Sequence, residues 1–149
     1  MGRITNTGQT PAKQRRAHIR SCAEALRLLA QHESLASGRF DAEAKDLAAF
    51  LVLHLRGIYD TIDESAHAWD DRNYWKKAEA LREKWRWSRT AARTLAALVL
   101  ADHWAEVPPV LVSLVPHFAD VTIHQLTRDA DWWCGALRAL KRQAAAPTR

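Results

Sequence analysis

Four arginines carry the strongest chemical signal in the chain. Arg82, Arg86, Arg89 and Arg93 repeat at +4, +3 and +4. At about 100° per residue they form one stripe along a helix. A guanidinium every ~5–6 Å matches the phosphate spacing of an extended single strand, and each can hold two phosphate oxygens. Trp75 falls on the same flank, with Lys76 and Lys77 beside it. Seven tryptophans are many for this length. Trp69, Trp85 and Trp133 fit apolar faces, whereas Trp75, Trp87 and Trp132 do not. These last three are candidates for stacking a base or docking a protein.

A competing reading of the stripe comes from the acids. Asp60, Asp63, Glu64, Asp70 and Asp71 precede it, and Glu79 and Glu83 stand one turn from Arg82 and Arg86. Those two arginines are then expected in ion pairs that hold a helix seam together. Arg89 and Arg93 have fewer acids near them in sequence, so contact with a ligand is expected there first.

Other chemistries find less support. Glu64 and His67 have the Glu-x-x-His spacing of carboxylate-bridged di-iron bundles, but such sites need two copies. His117, Asp120 and His124 are helix-spaced, and His54 and His124 come out at similar height in a bundle. A mixed metal site, or haem ligated by a histidine such as His54, is the third-ranked reading. Cys22 and Cys134 lack metal or CxxC spacing and read as two buried thiols. No Ser/His/Asp order can be argued. The expectation is no catalytic residue, no cofactor and no metal ligand.

Composition bounds the class. The chain has 149 residues, 48% hydrophobic and 26% charged, which suits one domain with its own core. No apolar run reaches the roughly 20 residues that span a bilayer, and residues 1–16 lack the apolar segment of a secretory signal. A cytoplasmic protein with no membrane partner is expected. The net charge of +5 is unevenly placed. Residues 1–20 carry Arg3, Lys13, Arg15, Arg16 and Arg20 without an acid, and residues 138–149 carry Arg138, Lys141, Arg142 and Arg149 without one.

The elements that position these groups read as helices throughout. Residues 1–11 form a flexible tail, 12–143 a single helical domain and 144–149 a frayed end. A first helix covers 11–36, opened by Pro11 and closed at Gly38. A second starts at the N-cap Asp41 and carries Leu47, Leu51, Leu55, Ile58, Ile62, Ala66 and Trp69 on one face, with Gly57 a packing point or weak point within it. After the turn 70–73, a third runs to about Trp104, its face made of Tyr74, Ala78, Leu81, Trp85, Ser88, Ala92, Leu95 and Val99, and Pro108 and Pro109 stop it. Residues 110–143 keep helical spacing, with a kink or split near Pro116. Short loops make sequential helices antiparallel neighbours. The fold class is all-α, an antiparallel four-helix bundle with long helices.

That topology predicts that Arg15, Arg16 and Arg20 converge with Arg138, Lys141 and Arg142 at one bundle end. The function expected is non-catalytic binding of RNA or a single-stranded backbone without sequence specificity, within a larger assembly of protein subunits. In size and charge the chain is similar to the helical small subunits of CRISPR ribonucleoprotein effectors, an analogy without a shared motif. The alternatives are a protein-interaction or scaffold module using exposed tryptophans, which includes self-association, and the metal or haem bundle.

Overall fold

The computed structural model describes residues 9–37 and 39–146. Gly38, most of the expected N-terminal tail and the last three residues lie outside them. Among the described residues every regular element is helical, and no helix is long and apolar enough to cross a membrane.

Helix α1, Pro11–Ala30, begins where Thr10 accepts a hydrogen bond from the Lys13 amide at 3.1 Å. Pro11 takes the first position, where its missing N–H costs nothing. The expected first helix is shorter than the spacing predicts. It ends at Ala30, and a separate turn, α2, covers Glu33–Ala36. Helix α3, Ala42–Asp71, is capped by Asp41, whose carboxylate accepts from the Ala44 amide at 2.9 Å. Its 30 residues reach about 45 Å. Of the predicted face, Trp69 is half-buried and Leu47, Leu51, Leu55, Ile58, Ile62 and Ala66 are fully buried. Each large apolar side chain so buried contributes about 1.5–3 kcal/mol.

Helix α4, Trp75–Leu100, follows a tight turn in which Asn73 takes a positive φ of 64°. Ala78, Ser88, Ala92, Leu95 and Val99 are buried as their spacing predicts, whereas Tyr74, at the helix start, is exposed. The helix stops before the prolines. Asp102 turns the chain with φ 58°, and Pro108 and Pro109 instead open α5, Val107–Leu114.

The region from 110 to 143 departs most from expectation. It breaks at Pro116, where residues Val115–Phe118 form a 3-10 turn, but the chain then stays non-helical from 119 to 129. Short helices α6, Ala130–Trp133, and α7, Ala136–Ala145, complete it. Three long helices and a segmented fourth region therefore replace four long ones. The cause is tertiary. Glu24, on α1 and fully buried, accepts from the amides of Thr127 and Arg128 at 2.8 and 2.9 Å. Arg20 and Arg27 donate to the carbonyls of Thr122, Gln125 and Ile123. Backbone groups satisfied this way do not need a helix, and β-branched Val121, Thr122 and Ile123 favour one weakly.

Helix α3 is the hub. It packs most extensively against α4 and α1, and next against α7. Arg15 meets Ser65 while His32 meets Glu43, so α1 runs antiparallel to α3. Arg82 meets Asp70 while Arg89 covers Tyr59, so α4 does too. Asp46 meets Leu137 and Arg56 meets Gln143, which makes α7 parallel to α3.

Candidate nucleic-acid interface

The arginine stripe is divided. Arg82 donates to Asp70 at 2.8 Å and lies 3.8 Å from Glu79. That hydrogen bond, reinforced by the Asp70, Glu79 and Asp63 charges, raises the Arg82 pKa above its usual value. Arg86 pairs with Glu83 at 2.8 Å and lies 3.7 Å from Glu79. The first half of the stripe is thus ion-paired, Arg82 across the α3–α4 seam and Arg86 within α4. Arg89 and Arg93 are exposed, and among the described residues neither has a carboxylate within 4.0 Å. The Arg89 guanidinium sits 5.6 Å from the centre of the Tyr59 ring. Together with Arg56, Asp60 and Asp63 of α3 they border a groove of about 420 Å³.

The basic residues of the two ends are engaged by different parts of the fold. Arg15 is half-buried and donates to Thr61 Oγ1 at 3.0 Å and to Ser65 Oγ at 3.0 Å, and burial lowers its pKa. Arg20 is tied to Glu24 and to loop carbonyls. Arg16 remains exposed. The groove that Arg138, Lys141 and Arg142 border includes none of Arg15, Arg16 and Arg20.

Arg138, Lys141 and Arg142 share a groove with Lys45, whose ammonium lies over the Trp104 ring at 5.4 Å. A groove of about 830 Å³ between α3 and α7 is bordered by Lys45, Arg138, Lys141 and Arg142, with Ala42, Leu137 and Ala145 as its apolar surface. Its single carboxylate, Asp46, accepts from the amides of Gly135 at 3.1 Å and Leu137 at 2.9 Å. The charge of Asp46 faces the positive end of α7. Sequence reasoning missed Lys45 and Arg56. Their signal was the +3/+4 run Ala42, Lys45, Ala49, Leu53, Arg56, Asp60 and Asp63, a second face of α3 that the stronger leucine face obscured.

The three candidate stacking residues have different surroundings. Trp75 is 64% exposed and Trp132 50% exposed. The Lys76 ammonium approaches the Trp75 ring at 5.6 Å, and the Arg128 guanidinium covers Trp132 at 4.6 Å. Lys77 lies over Trp69 at 4.8 Å and Tyr74 at 5.7 Å, so an aromatic and basic corner forms at the α3–α4 turn. Trp87 already has aromatic partners within the fold. It is half-buried, stacked flat on His117 at 3.9 Å and set edge-on to Phe118 at 5.6 Å. Only the return of the chain after Pro116 supplies those partners.

No group of three His, Cys, Asp or Glu side chains placed to hold a metal occurs among the described residues. His54 and His18 meet through their Nδ1 atoms at 2.8 Å. Burial, the His18 charge and Arg128 lower the His54 pKa to about 3, so it is neutral at pH 7. Cys22 is buried and its thiol is pushed up by burial. Cys134, expected to be buried, is exposed at the α6–α7 junction, because the break before Gly135 turns it outward. Comparison with family models, with curated proteins and with solved structures finds no match to this chain.

Proposed function

We propose that the protein is a non-catalytic binder of nucleic-acid backbone, RNA or single-stranded, acting as a subunit of a larger assembly. The observation that carries this reading is the α3–α7 groove, where Lys45, Arg138, Lys141 and Arg142 face one carboxylate that is already engaged by α7. Clustered cations of this kind bind phosphates by releasing counterions, with no base specificity required. Arg89 and Arg93 supply further cations on α4. Arg82 and Arg86 serve the fold.

Filter binding of a labelled oligouridylate at 50 and 200 mM salt tests it. The affinity is expected to fall steeply with salt. Arg138→Ala/Arg142→Ala is expected to flatten the dependence by about 1.4 in log–log slope, the value for two phosphate contacts on a single strand. Arg82→Ala/Arg86→Ala is expected to leave that slope unchanged. Absence of binding at 50 mM salt overturns the reading.

A second reading, a protein-interaction module, is favoured by the α3–α4 corner, where Tyr74 is 51% and Trp75 64% exposed. Aromatic side chains of this kind are enriched in protein interfaces. Tyr74→Ser/Trp75→Ser separates the two readings. It abolishes association with a protein partner under the second and leaves the oligouridylate salt slope intact under the first.

A further inference from the structure

The two basic grooves lie on one face of α3. Ala42 and Lys45 border the first; Arg56, Asp60 and Asp63 border the second. Steps of three and four through Ala49 and Leu53 connect them, so they share one flank of the helix. Arg56 belongs to the second groove, and its Nη1 also donates to Gln143 Oε1 of α7 at 3.2 Å. Helix α7 runs parallel to α3, and Arg138 and Arg142, one turn apart, lead along it toward that contact. Arg89 and Arg93 stand on the far side of Arg56.

We infer that these groups form a single path for one extended strand, which enters along Arg138 and Arg142, crosses the end of α7 at Arg56 and leaves over Arg89 and Arg93. This inference rests on the nucleic-acid reading and specifies its ligand. Lys45 and Tyr59 are about 21 Å apart along the α3 axis. At ~5–6 Å per phosphate, the spacing matched by the arginine stripe, the strand needs about five nucleotides to engage both grooves. Both grooves are crevices between packed helices, whose axes stand about 8–10 Å apart. They admit the phosphates of one strand. A duplex, with a persistence length of about 50 nm, does not follow a path that changes grooves within this distance. The path is not uniformly attractive. Asp60 and Asp63 reduce the net charge of the second groove, so the α3–α7 groove is the stronger holding point and Arg56 the junction.

The path also assigns a role to the Arg56–Gln143 hydrogen bond. It holds the guanidinium at the end of α7, between the cations of both grooves, without neutralising it. A carboxylate at position 143 would do so.

Fluorescence anisotropy with oligouridylates of two, four, eight and twelve nucleotides tests the path, using the full chain. Affinity is expected to rise steeply between two and eight nucleotides and then to level. For the eight-nucleotide strand, Arg89→Ala/Arg93→Ala and Arg138→Ala/Arg142→Ala are each expected to weaken binding about tenfold at 50 mM salt and to lower the salt slope by about 1.4. Gln143→Glu is expected to weaken it as well, with an unchanged helical circular-dichroism spectrum. If Arg138→Ala/Arg142→Ala weakens binding but Arg89→Ala/Arg93→Ala and Gln143→Glu do not, the path is wrong and the nucleic-acid reading survives in one groove. If no variant weakens binding, both are wrong. Equal affinity for a twelve-base-pair duplex overturns the assignment to a single strand.

Discussion

Gly57 shows how a single residue can carry a tertiary constraint. It sits within α3, where glycine costs up to about 1 kcal/mol relative to alanine. A Cβ there would overlap the His18 ring, which lies against it. The absence of a side chain lets α1 bring His18 to His54 at 2.8 Å. Gly57→Ala is therefore expected to destabilise the protein by about 1–2 kcal/mol in urea titration, overpacking outweighing the gain in helix propensity. In a His18→Ala background the same change is expected to stabilise. A stabilising Gly57→Ala in the wild-type background would show that the ring yields freely. The glycine itself was visible in the sequence as an oddity. Which side chain filled its space was not, because His18 is 39 positions away in the chain.

At the scale of elements, two buried or half-buried carboxylates hold the segmented fourth region in place. Glu24 binds Thr127 and Arg128 through their amides and Thr127 also through its hydroxyl, with Arg20 completing the set. Glu24→Ala leaves those donors without their acceptor and is expected to cost about 3 kcal/mol or more. Faster hydrogen exchange at Thr127 and Arg128 would locate the loss in the 119–129 loop. Unchanged exchange there would contradict the tie. Asp46 plays the corresponding part for α7, accepting from two of its first amides. Asp46→Ala is expected to cost about 1 kcal/mol, read in thermal unfolding, and to speed exchange at the start of α7. Neither role could be read from spacing. The run Phe118, Thr122, Leu126, Asp129 and Trp133 has a helical period, yet Leu126 is exposed and the segment is not helical. Contacts about a hundred residues apart outweighed the local pattern.

For the whole molecule, the shifts of His54 and Glu24 predict acid sensitivity. An unfolded histidine titrates near 6.5, whereas folded His54 is held at about 3 by burial, His18 and Arg128. Between those values the unfolded chain binds the additional proton, so stability falls as pH falls, by up to about 1.4 kcal/mol per unit. For Glu24, burial alone would raise the pKa. The hydrogen bonds from Thr127, Arg20 and the Thr127 and Arg128 amides more than offset it and hold it at about 2. Its contribution is complete above the unfolded value near 4.3 and is lost as pH falls toward 2. The urea midpoint is expected to decline from pH 6.5 downward, more steeply below about 4.5. His18→Gln/His54→Gln is expected to flatten the upper part of that decline. A midpoint constant from pH 7 to 5 would mean that His54 is not held neutral in the folded chain.

The all-helical class, the cap at Asp41 and the buried face of α3 follow from the sequence alone, because capping and apolar periodicity act over three to seven residues. The tertiary structure decided which charges are engaged. It paired Arg82 with Asp70 of α3, tied Arg15 and Arg20 to the fold, and stacked Trp87 on His117. It also brought Lys45 to Arg138 and Arg142, and Arg56 to Arg89 and Arg93. A guanidinium is chemically the same in a salt bridge or in solvent. For Arg82 and Arg15 the neighbour that distinguishes the two lies on another helix, out of reach of spacing, whereas Arg86 and Arg20 pair within their own helices at spacings the sequence shows.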